Sequence, residues 1–514
     1  MPVKTKLLNI PLNRVEGDLE IKVSVQDGRV TDAYSSGLMF RGFENILKGR
    51  GALDGLVITP RICGICTTAH LTAAAKALDM IAGVSPPPDA VRLRNLALAV
   101  EQIQSDMRHA FLMFFVDFTN NAYQDHPLYE QAVKLFTPFS GEAVVEVIRE
   151  TKKVLGIIAV IGGQWPHSSY MIPGGIVSVP GALDIKQCRL LLESYRQWYE
   201  TKVLGCTLER WQQVQKAADL DTWLDESPSH KNSYLGFYIR FARDIGLDQI
   251  GRGHENFISV GTFDQPESDF TTGTDPAFYW PAGFAQGIEV ESFNQGNISE
   301  HIKYSWYENN SGNLHPGKGM TSPYASGEEG LKYSWAKAPR YNDLPAETGP
   351  LAQQVIAGDP LVTDYITQNR SNVFIRELAR LVRPVQLIPT MREWLTEITP
   401  EGEFYVSPNS IPDGEGFGLA EVTRGALGHW VGIENNKIEH YQIITPTAWN
   451  GSPRDANHIR GPWEEALIGG PVKDPENPVE LGHIIRSFDA CLVCTVHCLE
   501  PLYKETGKGK GHES

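Results

Sequence analysis

Cysteine is scarce in this chain, and long hydrophobic runs are missing from it. Seven cysteines in 514 residues are too few for a disulfide framework, which favours a reducing compartment. The longest continuous apolar run covers residues 110–116, far short of the roughly 18 residues that a membrane helix needs. The first residues, MPVKTKLLNIPLNR, lack the apolar core of a secretory signal. We therefore expect a cytoplasmic protein with no direct membrane insertion, which reaches a membrane only through partners.

A long basic run is absent too. The 46 Lys and Arg residues against 62 Asp and Glu residues leave a net charge of 46 − 62 = −16, and the acidic residues are spread along the chain. Nucleic acid binds basic surfaces, so it is a poor candidate partner.

Four of the seven cysteines form two C-x-x-C pairs at opposite ends of the chain. Cys63 and Cys66 stand in RICGICTTAH, and Cys491 and Cys494 stand in SFDACLVCTVH. Four thiolates at this spacing are typical of a metal site, either a closed structural zinc or an open redox metal. His497, three residues after Cys494, could also be a zinc ligand, so the residues alone leave both kinds of site open.

A site that joins both ends of the chain predicts one continuous body rather than independent terminal domains. The other cysteines, Cys188, Cys206 and Cys498, have no cluster-binding spacing among them. The chain is therefore not expected to hold an iron–sulfur relay of its own, and Cys188 and Cys206 are expected to be inert core thiols.

The hydrophobic periodicity changes along the chain from strand-like to helical. The segment LEIKVSVQDGRVTDAY alternates about an Asp27-Gly28 turn and predicts a hairpin within an N-terminal β segment at about 5–40. Apolar spacing of three and four residues predicts long helices from about residue 88, over 142–161 and over 185–224, and a helical pattern returns over 351–399. Residues 262–350 predict an irregular or short-stranded excursion, and 428–446 predict a second hairpin about Asn435-Asn436.

These patterns together predict an α+β fold that is mainly α. A bundle of long helices forms its core, small β-sheets lie at its periphery, and the N- and C-terminal segments form the metal site.

The first cysteine pair is followed at once by an Ala-rich helical pattern, TTAHLTAAAKALDMIA. Cys63 and Cys66 are therefore expected at a helix N-terminus, where the dipole favours thiolate. His70 follows Cys66 by one helical turn on the same face, close enough to hydrogen-bond a ligating sulfur.

The two cysteine elements together resemble the signature motifs of the nickel-iron hydrogenase large subunit, R-x-C-G-x-C-x-x-x-H at 61–70 and D-x-C-x-x-C-x-x-H at 489–497. The resemblance extends to RVEGDLEI, RGFENILKGR, GGQWPH, TRGALGHW and TPTAWN, and so covers nearly the whole chain. It implies an oxidoreductase that cleaves hydrogen heterolytically and reversibly, with hydrogen oxidation as the expected direction.

The resemblance implies a nickel held by four thiolates beside an iron that carries carbon monoxide and cyanide. Cys66 and Cys494 correspond to the thiolates that bridge both metals. Cys63 and Cys491 correspond to those that bind nickel alone, and Cys491 is also expected to accept a proton. Soft sulfur donors suit nickel better than a hard metal.

The same resemblance assigns roles to side chains around these metals. Glu16, in RVEGD, matches the glutamate that carries the proton away from Cys491. Arg424 matches an arginine whose guanidinium lies above the metals, and Asp106 and Asp489 match the acidic residues that position it.

Two further groups of residues have family counterparts. Thr447, which follows Pro446 in TPTAWN, matches a hydroxyl residue that donates to a cyanide ligand. Glu44 resembles a carboxylate ligand of a remote magnesium or iron, whose other protein ligands are the His497 ring and the carbonyl of Ile443. Hard oxygen donors suit magnesium.

The chain departs from the common family pattern at three positions. Thr423 stands where many relatives have proline, Ala490 replaces the proline before Cys491, and Trp165 replaces a histidine of an HPH element. The segment FDACLVCTVH resembles the uptake branch, which includes cyanobacterial and actinobacterial enzymes, more than it resembles the periplasmic respiratory branch.

Seventeen residues, 514 − 497, follow His497. In the family such an extension is removed by a maturation endopeptidase after nickel insertion, so we expect a catalytic body over 1–497 and a removable extension over 498–514. The implied partners are that endopeptidase, nickel-insertion proteins and an obligate iron–sulfur small subunit, in a heterodimer that can form higher oligomers.

Three alternative functions remain at this point. A regulatory hydrogen sensor would have the same metals, but such sensors generally lack the extension. A non-catalytic redox-complex subunit, related to the quinone-site subunit of respiratory complex I, would lack the four cysteines. A structural zinc protein would contain zinc without nickel.

Overall fold

Helices form the centre of the molecule, and small antiparallel sheets lie around them. The computed structural model describes residues 6–15, 17–272, 277–309, 312–325 and 330–491. The predicted α+β fold, mainly α, is confirmed, and cysteines from the N- and C-terminal regions meet in it. Within those ranges, no helix combines the length and the apolar character needed to cross a membrane.

The helices before the middle of the chain are α1 (Phe43–Leu47), α2 (Gly55–Ile58), α3 (Thr67–Ala82), α4 (Pro88–Arg108), α5 (Tyr129–Phe136), α6 (Glu142–Val154), α7 (Gly156–Gly162), α8 (Ala182–Trp198), α9 (Leu208–Trp211), α10 (Asp219–Glu226), α11 (Pro228–Asn232) and α12 (Tyr234–Asp244). The later helices are α13 (Pro350–Ile356), α14 (Pro360–Asn369), α15 (Val373–Val382), α16 (Pro384–Glu397), α17 (Pro446–Asn450), α18 (Pro462–Leu467) and α19 (Val479–Arg486).

The strands pair in two- and three-stranded antiparallel sheets. The three-stranded sheets are β1 (Lys6–Leu12), β2 (Leu19–Gln26) and β3 (Arg29–Gly37); β6 (Asn256–Asp264), β7 (Phe278–Gln286) and β8 (Glu289–Glu291); and β11 (Gly414–Val422), β12 (Gly425–Glu434) and β13 (Lys437–Ile444). The two-stranded sheets pair β4 (Met171–Ile172) with β5 (Gly175–Ile176) and β9 (Ile298–His301) with β10 (Ala338–Tyr341).

The helix α4 lies at the centre of the core. It begins at Pro88, whose fixed φ suits the first turn of a helix, and most of its residues are buried. It contacts α3, α6, α7 and α16. A π-helical turn, His109–Phe114, continues it into a cluster of aromatic rings in which the centroids of Phe115 and Phe136 lie 5.0 Å apart. Several polar side chains of this helix and its π turn are nevertheless buried, among them Asp106 and His109.

Both predicted hairpins are present. The Asp27-Gly28 turn has φ values of 50° and 73°, and the Asn435-Asn436 turn has φ values of 51° and 59°. Two consecutive positive φ values define the turn whose twist matches paired strands, and Asn, Asp and Gly adopt them most readily. The first turn joins β2 to β3, and the second joins β12 to β13.

The sheet of β11, β12 and β13 lies directly against α3. A Cβ atom at Gly418 would stand only 1.9 Å from the carbonyl oxygen of Ala73, so glycine on β11 permits this close approach. Because α3 begins just after Cys66 and Arg424 lies in the turn between β11 and β12, the contact fixes these two residues relative to each other.

The long helix predicted over 185–224 is interrupted, which corrects that part of the sequence interpretation. After α8 the chain passes through a π-helical turn, Tyr199–Leu204, and reaches Gly205 with φ 75°. A Cβ at Gly205 would lie 2.3 Å from the carbonyl oxygen of Ser229. Helical spacing of apolar residues continues through this break, because α9 and α10 also bury one face.

The described parts of 262–350 contain short strands and irregular chain, as predicted. β7, β8, β9 and β10 lie in this region.

Candidate metal centre

Three cysteine sulfurs from the two ends of the chain meet in a buried cluster. The Sγ atoms of Cys63, Cys66 and Cys491 lie within 4.8 Å of one another, and those of Cys63 and Cys491 are 3.6 Å apart. A disulfide would need about 2.05 Å. Two sulfurs at about 2.3 Å from one tetrahedral metal would lie roughly 3.7 Å apart. The spacing therefore fits thiolates that share a metal.

The first cysteine pair stands at the N-terminus of α3, as predicted. Cys66 is the N-cap residue, but its side chain makes no capping hydrogen bond. Glu101 of α4 caps the helix instead, accepting from the backbone N–H groups of Thr68 at 2.8 Å and Ala69 at 3.0 Å. Burial raises the pKa of Glu101 to about 7, although these N–H groups oppose the shift. The indole of Trp165 also donates to Glu101, at 3.3 Å, so this departure from the family pattern contributes to the cap.

Arg424 connects the cysteine cluster to a buried carboxylate. Its Nη1 lies 2.8 Å from Sγ of Cys66, and its Nε donates to Oδ1 of Asp489 at 2.9 Å. Nδ1 of His109 lies 3.0 Å from the same oxygen. Burial would raise the pKa of Asp489, but the charges of Arg424 and His109 hold it below its usual range. The ionised carboxylate therefore holds the guanidinium beside the sulfur.

Asp106 lies one step further from the cluster than the sequence suggested. Its carboxylate accepts two hydrogen bonds from Arg383, at 2.8 and 2.7 Å. Arg383 donates in turn to the carbonyl of Thr423, at 2.9 Å. Asp106 therefore orients Arg383, which binds the residue before Arg424. Asp106 is connected to the Arg424 guanidinium only through these intermediate contacts.

The start of α17 lies against Cys491. The backbone N–H of Cys491 donates to Oγ1 of Thr447 at 3.1 Å. Pro446 and Thr447 line a small cavity together with Cys66 and Cys491. The predicted cofactor-binding hydroxyl thus faces the cysteine cluster.

His70 lines the same cavity from α3. Burial lowers the pKa of His70 to about 4, although the charge of Cys63 acts in the opposite direction. Its Nδ1 lies 3.1 Å from Nε2 of His429, and Nδ1 of His429 lies 2.9 Å from the hydroxyl of Tyr441. His70, which was predicted to lie near the sulfurs, is therefore the end of a longer buried chain of polar groups.

Glu44 lies in a separate buried cluster rich in oxygen donors. Its Oε1 accepts from the backbone N–H of Ile443 at 2.9 Å, and its Oε2 accepts from Thr321. Lys337 lies 3.7 Å from Glu44 and 3.3 Å from Glu300. Two carboxylates thus share one buried ammonium, and burial raises the pKa of Glu300 to about 7. The donor set and its excess of potential negative charge fit a hard cation here.

Three of the predicted ligands and relays lie outside the described residues: Glu16, Cys494 and His497. Val15, immediately before Glu16, lines a cavity of about 220 Å³ together with Arg424 and Asp489.

Sequence reasoning did not identify Glu101, His109, Arg383, His429 or Tyr441. Glu101 and His109 are ionisable residues within the same helical segment as Asp106, but other polar residues of that segment make this a weak signal. Arg383 meets Asp106 across 277 residues, and the pairing of Tyr441 with His429 depends on how β12 and β13 align, so no local pattern indicates them.

The fold and the cluster define a metalloprotein whose centre is built from thiolates at both ends of one chain. The family model described as nickel-dependent hydrogenase matches residues 41–140 and 116–497. The chain therefore belongs to the nickel-dependent hydrogenases, and within that family it is a large subunit.

Relatives of the chain match it over almost their whole length. It is 32% identical to the periplasmic [NiFeSe] hydrogenase large subunit of Desulfomicrobium baculatum, over 98% of this chain and 96% of the relative. It is 25% identical to the uptake hydrogenase large subunit of Rhodobacter capsulatus, over 95% and 94%. A solved structure of the Dm. baculatum [NiFeSe]-hydrogenase superposes with a TM-score of 0.82, at 31% identity, over 96% of this chain and 100% of that one.

Proposed function

We propose that this large subunit oxidises hydrogen at a nickel-iron centre and passes the electrons to an iron–sulfur small subunit. The observation that carries the proposal is the meeting of Cys63, Cys66 and Cys491 in one buried cluster, with a spacing that fits a shared metal. Cys494 would complete the set of four thiolates. When bound, a nickel and an iron carrying carbon monoxide and cyanide supply the place where hydrogen is cleaved heterolytically.

The protein groups around the centre would then separate the products of cleavage. Sγ of Cys491 accepts the proton, since a thiolate is a base, and Glu16 carries it toward solvent. Arg424 keeps a fixed positive charge beside Cys66, held there by Asp489. Thr447 and Pro446 line the cavity. The Thr447 hydroxyl would donate to a cyanide ligand of the iron.

Oxidation of hydrogen releases two electrons, and these need an exit. Within the described ranges, the cysteine cluster is the one group of three or more His, Cys, Asp or Glu side chains close enough to share a metal. We therefore propose that the electrons pass to another protein. The relatives' names as large subunits support a small subunit as that partner, and we infer that it carries iron–sulfur clusters. The relatives named as uptake hydrogenases support oxidation as the direction.

The cluster at Glu44 would hold magnesium or iron. Its buried oxygen donors support a hard cation, with the Ile443 carbonyl and the His497 ring as further ligands. This ion would connect the segment around Glu44 to the C-terminal end of the catalytic body.

Metal analysis of the purified complex, combined with infrared spectroscopy, tests the proposed centre. We expect nickel and iron together, infrared bands of metal-bound carbon monoxide and cyanide, and hydrogen-dependent reduction of a dye at an appreciable rate. Zinc without nickel would identify a structural site instead. Nickel and the infrared bands with very slow dye reduction would identify a hydrogen sensor.

Processing of the C-terminus is a separate expectation. We propose that an endopeptidase removes residues 498–514 after nickel insertion and leaves residues 1–497 as the catalytic body. We propose that this cleavage must come first, before Cys494 can join the cysteine cluster and before the His497 ring can join the cation site at Glu44. Intact mass of the active enzyme should end at His497. Full activity in a chain that retains Cys498 through Ser514 would contradict the processing step.

A further inference from the structure

A buried chain of polar groups runs from the sheet to the cysteine cluster. The hydroxyl of Tyr441 on β13 lies 2.9 Å from Nδ1 of His429 on β12, and Nε2 of His429 lies 3.1 Å from Nδ1 of His70 on α3. All three side chains are buried, with exposures of 3%, 0% and 1%. His70 then lines the cavity that Cys66 and Cys491 also line.

The strand register explains why these groups meet. Tyr441 pairs with Val431, and His429 lies two residues along β12 from that position. Alternate residues of a strand share a face, so the Tyr441 ring reaches His429 diagonally. The helix α3 packs on β11 and β12, which brings His70 onto His429.

The direction of hydrogen-bond donation along this chain follows from its far end. Among the described residues, His429 is the one hydrogen-bond partner of the Tyr441 hydroxyl. A buried O–H without an acceptor is destabilising, so the hydroxyl donates to Nδ1 of His429. A neutral imidazole that accepts at one nitrogen carries its proton on the other. Nε2 of His429 therefore donates to Nδ1 of His70.

The same rule applied to His70 gives the result that matters for the centre. Since Nδ1 of His70 accepts, its proton is on Nε2. We propose that Tyr441 and His429 are positioning residues that fix the tautomer of His70, so that His70 presents an N–H, and not a lone pair, to the cavity that it shares with Cys66 and Cys491. This inference deepens the proposed function and rests on it.

A donor beside a metal-bound thiolate has a measurable consequence. An N–H group withdraws electron density from sulfur, and hydrogen bonds to ligating sulfurs are one of the ways in which proteins set metal potentials. With the opposite tautomer, a lone pair would face the thiolates and the metals would become more electron-rich. The Tyr441 hydroxyl thus acts on the centre through two histidines without touching it.

The substitution Tyr441→Phe tests the proposal, because it removes the donor and keeps the ring. Without the hydroxyl, the two directions of donation between His429 and His70 become similar in free energy. We expect unchanged nickel content, a second set of carbon monoxide and cyanide bands at lower wavenumber, and a more negative potential of the nickel centre. The matched control is Tyr195→Phe, which removes another buried hydroxyl that donates to the carbonyl of Ile103 at 3.1 Å. The control should leave bands and potential in place.

Two substitutions at His429 keep the test decisive if Tyr441→Phe fails to assemble. Glutamine can accept from Tyr441 with its carbonyl and donate to His70 with its amide, so His429→Gln should keep the parent bands. Leucine can do neither, so His429→Leu should shift them.

The outcomes separate this inference from the proposed function. Absence of carbon monoxide and cyanide bands in the parent enzyme would reject the nickel-iron assignment itself. Parent bands that stay in place in both Tyr441→Phe and His429→Leu would reject the fixed tautomer while leaving the centre intact.

Discussion

Replacing Cys491 by serine is expected to abolish nickel retention. The substitution exchanges a soft thiolate for a hydroxyl that stays protonated at neutral pH, and nickel in this site depends on soft donors. Cys491 is fully buried, and its sulfur lies 3.6 Å from that of Cys63, so the substitution removes a soft donor from the centre of the cluster. We expect nickel in the purified protein, and hydrogen-dependent dye reduction with it, to fall to background.

A matched control uses a thiol outside the cluster. Cys206 is partly buried and accepts from the indole of Trp223 at 3.5 Å, a hydrogen bond that a serine oxygen can also accept. Cys206→Ser should therefore retain nickel and activity. A Cys491→Ser enzyme with parental nickel content and turnover would remove the basis of the assignment.

Glu16→Gln is expected to leave the metals in place and to block proton transfer away from Cys491. Glutamine keeps the shape of the side chain but cannot gain and lose a proton, and such acid–base groups contribute roughly 10²- to 10⁴-fold to rates. Val15, the residue before Glu16 in the sequence, lines one cavity with Arg424 and Asp489. Dye-linked turnover should drop by that order, while nickel content and infrared bands stay parental.

Two measurements distinguish a relay from a structural role. Para-to-ortho hydrogen conversion, which requires binding and cleavage but no long-range proton transfer, should survive better than dye reduction. Glu20→Gln on β2, four residues away and partly exposed, should have little effect on either. Parental dye reduction in Glu16→Gln would show that protons leave by another route.

Local sequence patterns were sufficient for the parts of the site that depend on local geometry. Cys66 was predicted at the start of a helix because an Ala-rich segment follows it. His70 was predicted one turn later because it is four residues from Cys66. Both hairpin turns follow from Asp-Gly and Asn-Asn dipeptides with positive φ.

Contacts between distant segments could not be predicted in this way. Glu101 caps α3 from another helix, and Arg383 intervenes between Asp106 and Thr423. The Tyr441–His429–His70 chain needs both the register of β12 with β13 and the packing of α3 on the sheet. The sequence predicted a helix that continues past residue 198, but the helical chain ends at Gly205. Gly205 approaches Ser229 closely, and hydrophobic periodicity does not reveal this contact.

The sequence separation of 428 positions between Cys63 and Cys491 gives the cluster a further property. Bringing two points this far apart in a flexible chain into contact costs about 5 kcal/mol of loop-closure entropy, by the logarithmic dependence on loop length. Folding supplies this free energy, because Arg424 and His109 hold Asp489 in place and Thr447 holds Cys491. An unfolded chain offers only two separate cysteine pairs, whereas the folded chain offers one assembled site. Metal binding is thus coupled to global folding, so core substitutions far from every ligand should weaken nickel binding once they destabilise the apo protein enough to populate its unfolded state.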